Sequence, residues 1–253
     1  MKYKFGLKLW STNLNYFGEA ERLFKENVFQ YIELYAVPGS FKAHKNIWNK
    51  LKCPYVIHAP HYKNGVNLSE KKDRIKNLEL INDSLYFADM LDANEIILHG
   101  GVNGDINETI SQIKGIHDSR LVIENKPYFG LEEGQICVGS TPEEIKKIIK
   151  EANVGFCMDI GHAVYSANAH KKPPMDYLKL FLASSPIMYH VTDGDITATR
   201  DTHEHIGKGN FPLKDMLKLI PSNSRITIET EKSSNKDLDD FVSDIEMIRK
   251  VIQ

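Results

Sequence analysis

Short, nearly unbroken apolar runs alternate along this chain with longer segments of mixed apolar and polar residues, eight times over. The runs read as strands over Lys4–Leu9, Tyr31–Leu34, Tyr55–His58, Glu95–His99, Leu121–Glu124, Val154–Asp159, Ile187–Val191 and Arg225–Thr230. The segments between them read as helices over Glu19–Asn27, Phe41–Leu51, Glu70–Met90, Ile106–Ile116, Pro142–Glu151, Met175–Leu182, Pro212–Leu219 and Leu238–Ile252. Continuous rather than alternating apolar strands are those of a parallel sheet covered on both faces. Eight strand–helix units favour a closed α/β barrel, a (β/α)8 or TIM barrel, spanning residues 1–253 as one domain. Two helix starts carry local signals. Ser140-Thr141-Pro142-Glu143-Glu144 offers Thr141 as a cap, proline at the first helical position and acids in the first turn. Ser69 is placed as a similar cap for the helix at 70–90. Lys126–Gly139 and Ala163–Pro174 are long loops placed to cover a substrate.

Composition narrows the class without naming it. A chain of 253 residues suits one barrel, and a net charge of −2 with pI about 6.6 gives no global signature of a nucleic-acid binder. Cys53, Cys137 and Cys157 have no metal-site spacing, and their odd count suits a reducing, cytoplasmic setting. No apolar run reaches membrane-spanning length, and the N-terminus lacks a signal-peptide core.

Chemistry concentrates at strand ends. Glu33, His58, His99, Glu124, Asp159, His190 and Glu229 each close, or nearly close, an apolar run. Asp159-x-x-His162 and Asp201-x-His203 add further imidazoles and carboxylates. Ligand-type side chains gathered at one end of parallel strands suit a polynuclear metal centre in a barrel mouth. Glu124 and Glu229 have no cation beside them in the runs they end, so each should face a metal or a base. The competing reading pairs them with Lys126 or Lys232. Glu33 either orients a metal-binding side chain or forms an ion pair. His61, Tyr62 and Lys63, which follow His58, are placed to touch substrate, with Glu33, Lys126 and Lys208 as further substrate-binding candidates. His44, His117 and His170 read as surface residues, and Trp10 and Trp48 as packing, with Trp10, which ends the first strand, also placed to line the pocket.

The segments IHAPHYKNGVNL, ILHGG, VIEN, CMDIGHA, YHVTDGD, DTHEHIGKGN and ITIET resemble the endonuclease IV family, within the xylose-isomerase-like barrels. Asp201-x-His203-x-x-x-Gly207-x-Gly209 and Asp159-x-x-His162 are the most specific pieces. The resemblance implies a trinuclear Zn²⁺ site, with Mn²⁺ as the other candidate ion. One ion would be held by His58, His99 and Glu124. Glu124 would bridge to a second held by Asp159, His190 and Glu229. His162, Asp201 and His203 would hold the third. It implies phosphodiester hydrolysis at abasic sites in duplex DNA, with Glu124, Asp159 and Glu229 as the catalytic carboxylates. The sequence also departs from the family. The first strand, GLKLWSTN, lacks the usual histidine, AVPGSF lacks a basic residue for the duplex, and Pro60-His61-Tyr62 replaces the family's Tyr and apolar wedge.

Those departures keep other readings open. A sugar or sugar-phosphate isomerase or epimerase on the same barrel would need one divalent ion, held by Glu124, Asp159, His190 and Glu229. A phosphodiesterase for a small substrate would use all three ions without DNA. A non-catalytic metal-binding module fits a barrel mouth least well.

Overall fold

The computed structural model describes residues 2–252. Eight parallel strands close into a barrel in chain order. They are β1 (Lys4–Trp10), β2 (Tyr31–Tyr35), β3 (Tyr55–His58), β4 (Ile96–His99), β5 (Leu121–Glu124), β6 (Gly155–Asp159), β7 (Met188–Val191) and β8 (Arg225–Ile228). Closure comes from β8 pairing with β1, with Gly6 opposite Thr227 and Leu7 opposite Ile228. Around the barrel lie α1 (Phe17–Lys25), α2 (Phe41–Trp48), α3 (Arg74–Met90), α4 (Ile106–Ile116), α5 (Pro142–Ala152), α6 (Ile160–Ala169), α7 (Pro174–Leu182), α8 (Leu213–Leu219) and α9 (Asp239–Val251). No helix is long and apolar enough to cross a membrane among the described residues.

The two faces of each strand have different tasks. One set of side chains, including Leu7, Leu34, Ile57 and Ile228, packs outward into the large core shared with the helices. The alternate set points into the barrel. There Tyr31, Val56, Ile97, Val122, Cys157 and Met188 form a separate apolar cluster. Because side chains on a strand repeat every two residues, the next inward position after each of these is Glu33, His58, His99, Glu124, Asp159 or His190. A closed apolar floor therefore sits one layer beneath the polar mouth. Gly6 belongs to this floor, since a Cβ there would overlap the Tyr31 ring.

Two expectations need correction. Ala163–Pro174 is not a covering loop, because Ile160–Ala169 forms α6 directly after β6. The Asp159 side chain caps it by accepting the His162 N–H at 2.7 Å. Residues 160–167 are buried throughout, so the helix lacks the amphipathic stripe that would reveal it in sequence. Ser69 does not cap α3. A 3₁₀ turn at Lys71–Asp73 intervenes, and the Ser69 hydroxyl instead lies 2.7 Å from Asn67 Oδ1. The Thr141 cap is as expected: its side chain accepts from Glu144 N at 3.2 Å, and the Glu144 carboxylate accepts from Thr141 N at 3.2 Å. That carboxylate also takes Gly139 N and Ser140 N, anchoring the end of the 126–139 loop. Lys126 N in turn donates to the Gly139 carbonyl.

Candidate metal centre

The barrel mouth collects the strand-end residues into several groups of potential ligands, one of which, Glu33, His58 and Glu229, includes Glu33. Of the others, His58, His99 and Glu124 form one, Glu124, His190 and Glu229 a second, and His162, Asp201 and His203 a third. Each offers ligand atoms within 4.8 Å of one another. Glu124, 1% exposed, is the hub. Its Oε2 lies 3.2 Å from His58 Nε2, 3.0 Å from His99 Nε2 and 3.4 Å from His190 Nδ1. Asp159 joins Glu124 and His162 in a further group. On the loop after β7, Asp201 Oδ2 lies 3.0 Å from His162 Nε2 and 2.7 Å from His203 Nε2. His203 has a positive φ of 48°, a bent backbone that turns the Asp-x-His segment back over the barrel.

The outer nitrogens of four of these histidines are already committed, while His99 Nδ1 is buried and makes no hydrogen bond. His58 Nδ1 donates to the Ala59 carbonyl at 2.8 Å, His162 Nδ1 to the Asn125 carbonyl at 2.9 Å and His203 Nδ1 to the Glu229 carbonyl at 2.7 Å. His190 uses Nε2 toward Glu33 Oε2 at 2.8 Å. Each ring is thereby held with its other nitrogen aimed inward, the arrangement by which proteins orient metal-binding imidazoles. Glu33 resolves its open reading by filling both roles. It orients His190, and its Oε1 lies 3.2 Å from Lys8 Nζ. Below it, Thr227 Oγ1 donates to Glu33 Oε2 at 2.7 Å and contacts Tyr31 Oη at 2.9 Å.

Charge decides what this site can hold. Glu33, Glu124, Asp159 and Glu229 are buried and Asp201 is nearly so, against only two ammonium groups, Lys8 and Lys126. Three negative charges are left over when the histidines are neutral, as metal-binding imidazoles are; without a cation, the protons held by His162, His190 and His203, all raised by the surrounding carboxylates, offset them. Burial and the neighbouring carboxylates Glu229, Glu124 and Asp201 raise the Asp159 carboxyl, with His162 opposing them. Burial lowers His190, but Cys157 and the carboxylates Glu229, Glu33 and Glu124 outweigh it and raise the ring well above its ordinary value. Asp159 Oδ2 and His190 Nδ1 are buried and make no hydrogen bond, although the latter lies 2.7 Å from Glu229 Oε1. Orphaned ligand atoms facing one another, a mixed imidazole–carboxylate donor set and excess negative charge fit a divalent ion.

The structure brings together all nine expected ligands, and it places two lysines among them. Lys126 stands 3.3 Å from Glu124 Oε1 and 3.2 Å from His162 Nε2. Lys8 was not expected. It takes the inward position on β1 and pairs with both Glu229 and Glu33. Glu229 therefore pairs with Lys8 rather than Lys232, whose Nζ donates to the Thr230 carbonyl. His61 stacks on His99 with ring centroids 5.0 Å apart, and burial followed by the Lys126 charge lowers it to about 2. Tyr62 Oη accepts from Leu131 N at 3.1 Å, tying the 126–139 loop across the mouth. Lys208 is exposed and joins no ion pair of the centre among the described residues. Trp10 is 49% exposed and lies 5.4 Å from the Tyr35 ring, so it borders the mouth rather than the core. Trp48 is buried packing, as expected. His170 is not a surface residue, since it is wedged between Tyr128 and Tyr177.

Comparison with known proteins follows the same outline. A family model described as xylose isomerase-like TIM barrel matches residues 22–251. An uncharacterized protein of Methanocaldococcus jannaschii is 25% identical over 237 residues, covering 87% of this chain and 77% of that protein. A probable endonuclease 4 of Thermoplasma volcanium is 28% identical over 181 residues, covering 65% of this chain and 61% of the relative, less than two thirds of its length. Among solved structures, a D-tagatose 3-epimerase-like protein superposes with a TM-score of 0.73 at 22% identity, covering 98% of this chain and 97% of that one. Endonuclease IV from Thermus thermophilus gives 0.65 at 18% identity, with 98% and 99% covered. These likenesses show a shared fold.

Proposed function

The chain belongs to the xylose isomerase-like TIM barrel family, and from that premise we propose that it is a metal-dependent phosphodiester hydrolase resembling endonuclease IV, cleaving DNA at abasic sites. One observation carries the reading: nine imidazole and carboxylate side chains converge in four linked groups, three containing Glu124 and the fourth, of His162, Asp201 and His203, joined to them through His162. A single-ion isomerase has no need of His58, His99, His162, Asp201 and His203. Zn²⁺ suits the donor set, with Mn²⁺ as the other candidate. When bound, clustered divalent ions activate water for attack and offset charge on the phosphoryl oxygens.

The protein's own residues would prepare the site. Glu33 holds His190 in one ring orientation, and the Ala59, Asn125 and Glu229 carbonyls do the same for His58, His162 and His203. Lys126 and Lys8 supply fixed positive charge at the mouth, suited to an anionic substrate. Tyr35, His61 and Trp10 form an aromatic border against which a sugar or base ring can lie. The loop at 126–139, pinned by Tyr62 and by Arg200 Nη1 donating to the Gly130 carbonyl, narrows access from one side.

The test is incubation of a duplex oligonucleotide bearing one abasic site with Zn²⁺- or Mn²⁺-loaded protein, with Glu124→Gln as control. Nicking 5′ to the lesion by the wild type alone is the expected result. No nicking by protein shown to hold metal would refute the DNA substrate. A second reading, sugar or sugar-phosphate isomerisation or epimerisation, is favoured by one specific feature. Of the four buried imidazole and carboxylate atoms at the mouth that make no hydrogen bond, Asp159 Oδ2 and His190 Nδ1 belong to the four-residue set Glu124, Asp159, His190 and Glu229, while His99 Nδ1 and Glu33 Oε1 do not. Solvent-deuterium exchange into ketoses followed by NMR tests that reading directly.

A further inference from the structure

We propose that the centre is filled by two divalent ions rather than three, because the Lys126 ammonium stands in the third ion's place. His162 Nδ1 lies 2.9 Å from the Asn125 carbonyl and 3.0 Å from Glu124 Oε1, which leaves Nε2, 3.0 Å from Asp201 Oδ2, as the nitrogen facing the third group. Lys126 Nζ lies 3.2 Å from that Nε2 and 3.3 Å from Glu124 Oε1. An ion bound through that nitrogen would sit about 2.0–2.1 Å from it, in competition with the ammonium for the same lone pair. Lys126 is 8% exposed, and its side chain has little room to withdraw.

The charge balance points the same way. Glu33, Glu124, Asp159, Asp201 and Glu229 oppose Lys8 and Lys126, leaving three negative charges with neutral histidines. Two divalent ions leave one positive charge, whereas three leave three positive charges crowded in a buried layer. Without the lysines, three ions would give that same single positive charge. The two ammonium groups thus replace one divalent ion. Lys8 differs from Lys126 in position. It pairs with carboxylate oxygens of Glu33 and Glu229 and sits on no imidazole nitrogen, so in the group of Glu124, His190 and Glu229 it shares the Glu229 oxygen that faces His190 and leaves the His190 nitrogen clear.

The inference rests on reading the nine side chains as ligands, but its test needs no substrate. Protein stripped with chelator is dialysed to equilibrium against excess Zn²⁺ or Mn²⁺, and bound metal is counted by mass spectrometry. Two ions per wild-type chain are expected, rising to three in Lys126→Met and in Lys126→Gln, with Lys8→Met as a charge control that stays at two. Three ions in the wild type, or no rise in a folded Lys126 variant, would overturn the inference while leaving the hydrolase reading intact. No bound metal would overturn both.

Discussion

Replacing Asp159 by Asn should move stability in opposite directions with and without metal. Asp159 is buried at the end of β6, and its carboxylate oxygen lies with a Glu124 oxygen and a His162 ring nitrogen, all within 4.8 Å of one another. Two like unit charges 4.8 Å apart repel by about 3 kcal/mol at an effective dielectric of 20. The pull of His162 and local relaxation offset part of this. Burial nevertheless raises the carboxyl overall, so the charged form is penalised in the folded state. Asn keeps a side-chain oxygen to accept the His162 N–H and cap α6. The metal-free variant should therefore gain about 1–2 kcal/mol, roughly 3–6 °C in Tm for a chain of this size. With saturating Zn²⁺ the order should invert. A hundredfold weaker site forfeits about 2.7 kcal/mol of ligand-linked stability when the ion is in excess. Calorimetric melts of stripped and Zn²⁺-loaded wild type and variant decide the matter. A stripped variant that melts below the stripped wild type would refute the electrostatic account, and an unchanged Zn²⁺-induced shift would remove Asp159 from the ligand set.

Two other changes separate orientation from scaffold. Glu33→Gln weakens the acceptor that fixes His190 Nε2, so Zn²⁺ affinity should fall about 10–100-fold in competition titrations, and unchanged affinity would make Glu33 a plain partner of Lys8. Thr141→Ala breaks the capping box of α5 and should cost about 1 kcal/mol, lowering Tm by about 2–4 °C. The number of bound ions should stay the same, and a change in it would mean that the cap acts through the 126–139 loop on Lys126.

Legibility divided along physical lines. Strand ends were readable because parallel strands are apolar until they reach the mouth, so each titratable residue after such a run marks a layer. The barrel followed from counting those units. Helix α6 escaped because the features that reveal helices in sequence come from facing water on one side, and this one is buried all round. Lys8 escaped for a related reason. In a strand reading K-F-G-L-K-L-W, a lysine looks like an outward-facing polar residue of an alternating pattern. Only closure of β1 against both β2 and β8 turns that position inward, with Glu33 and Glu229 on either side. The family's ligand pattern could be recognised from local spacing, but the cations that modify it depend on which strands become neighbours. Departures from a familiar site are therefore hardest to read where they matter most to metal count and substrate charge. Here Lys8 and Lys126 bring two ammonium groups in among the strand-end carboxylates and imidazoles, and on the proposed reading they supply the charge of one ion.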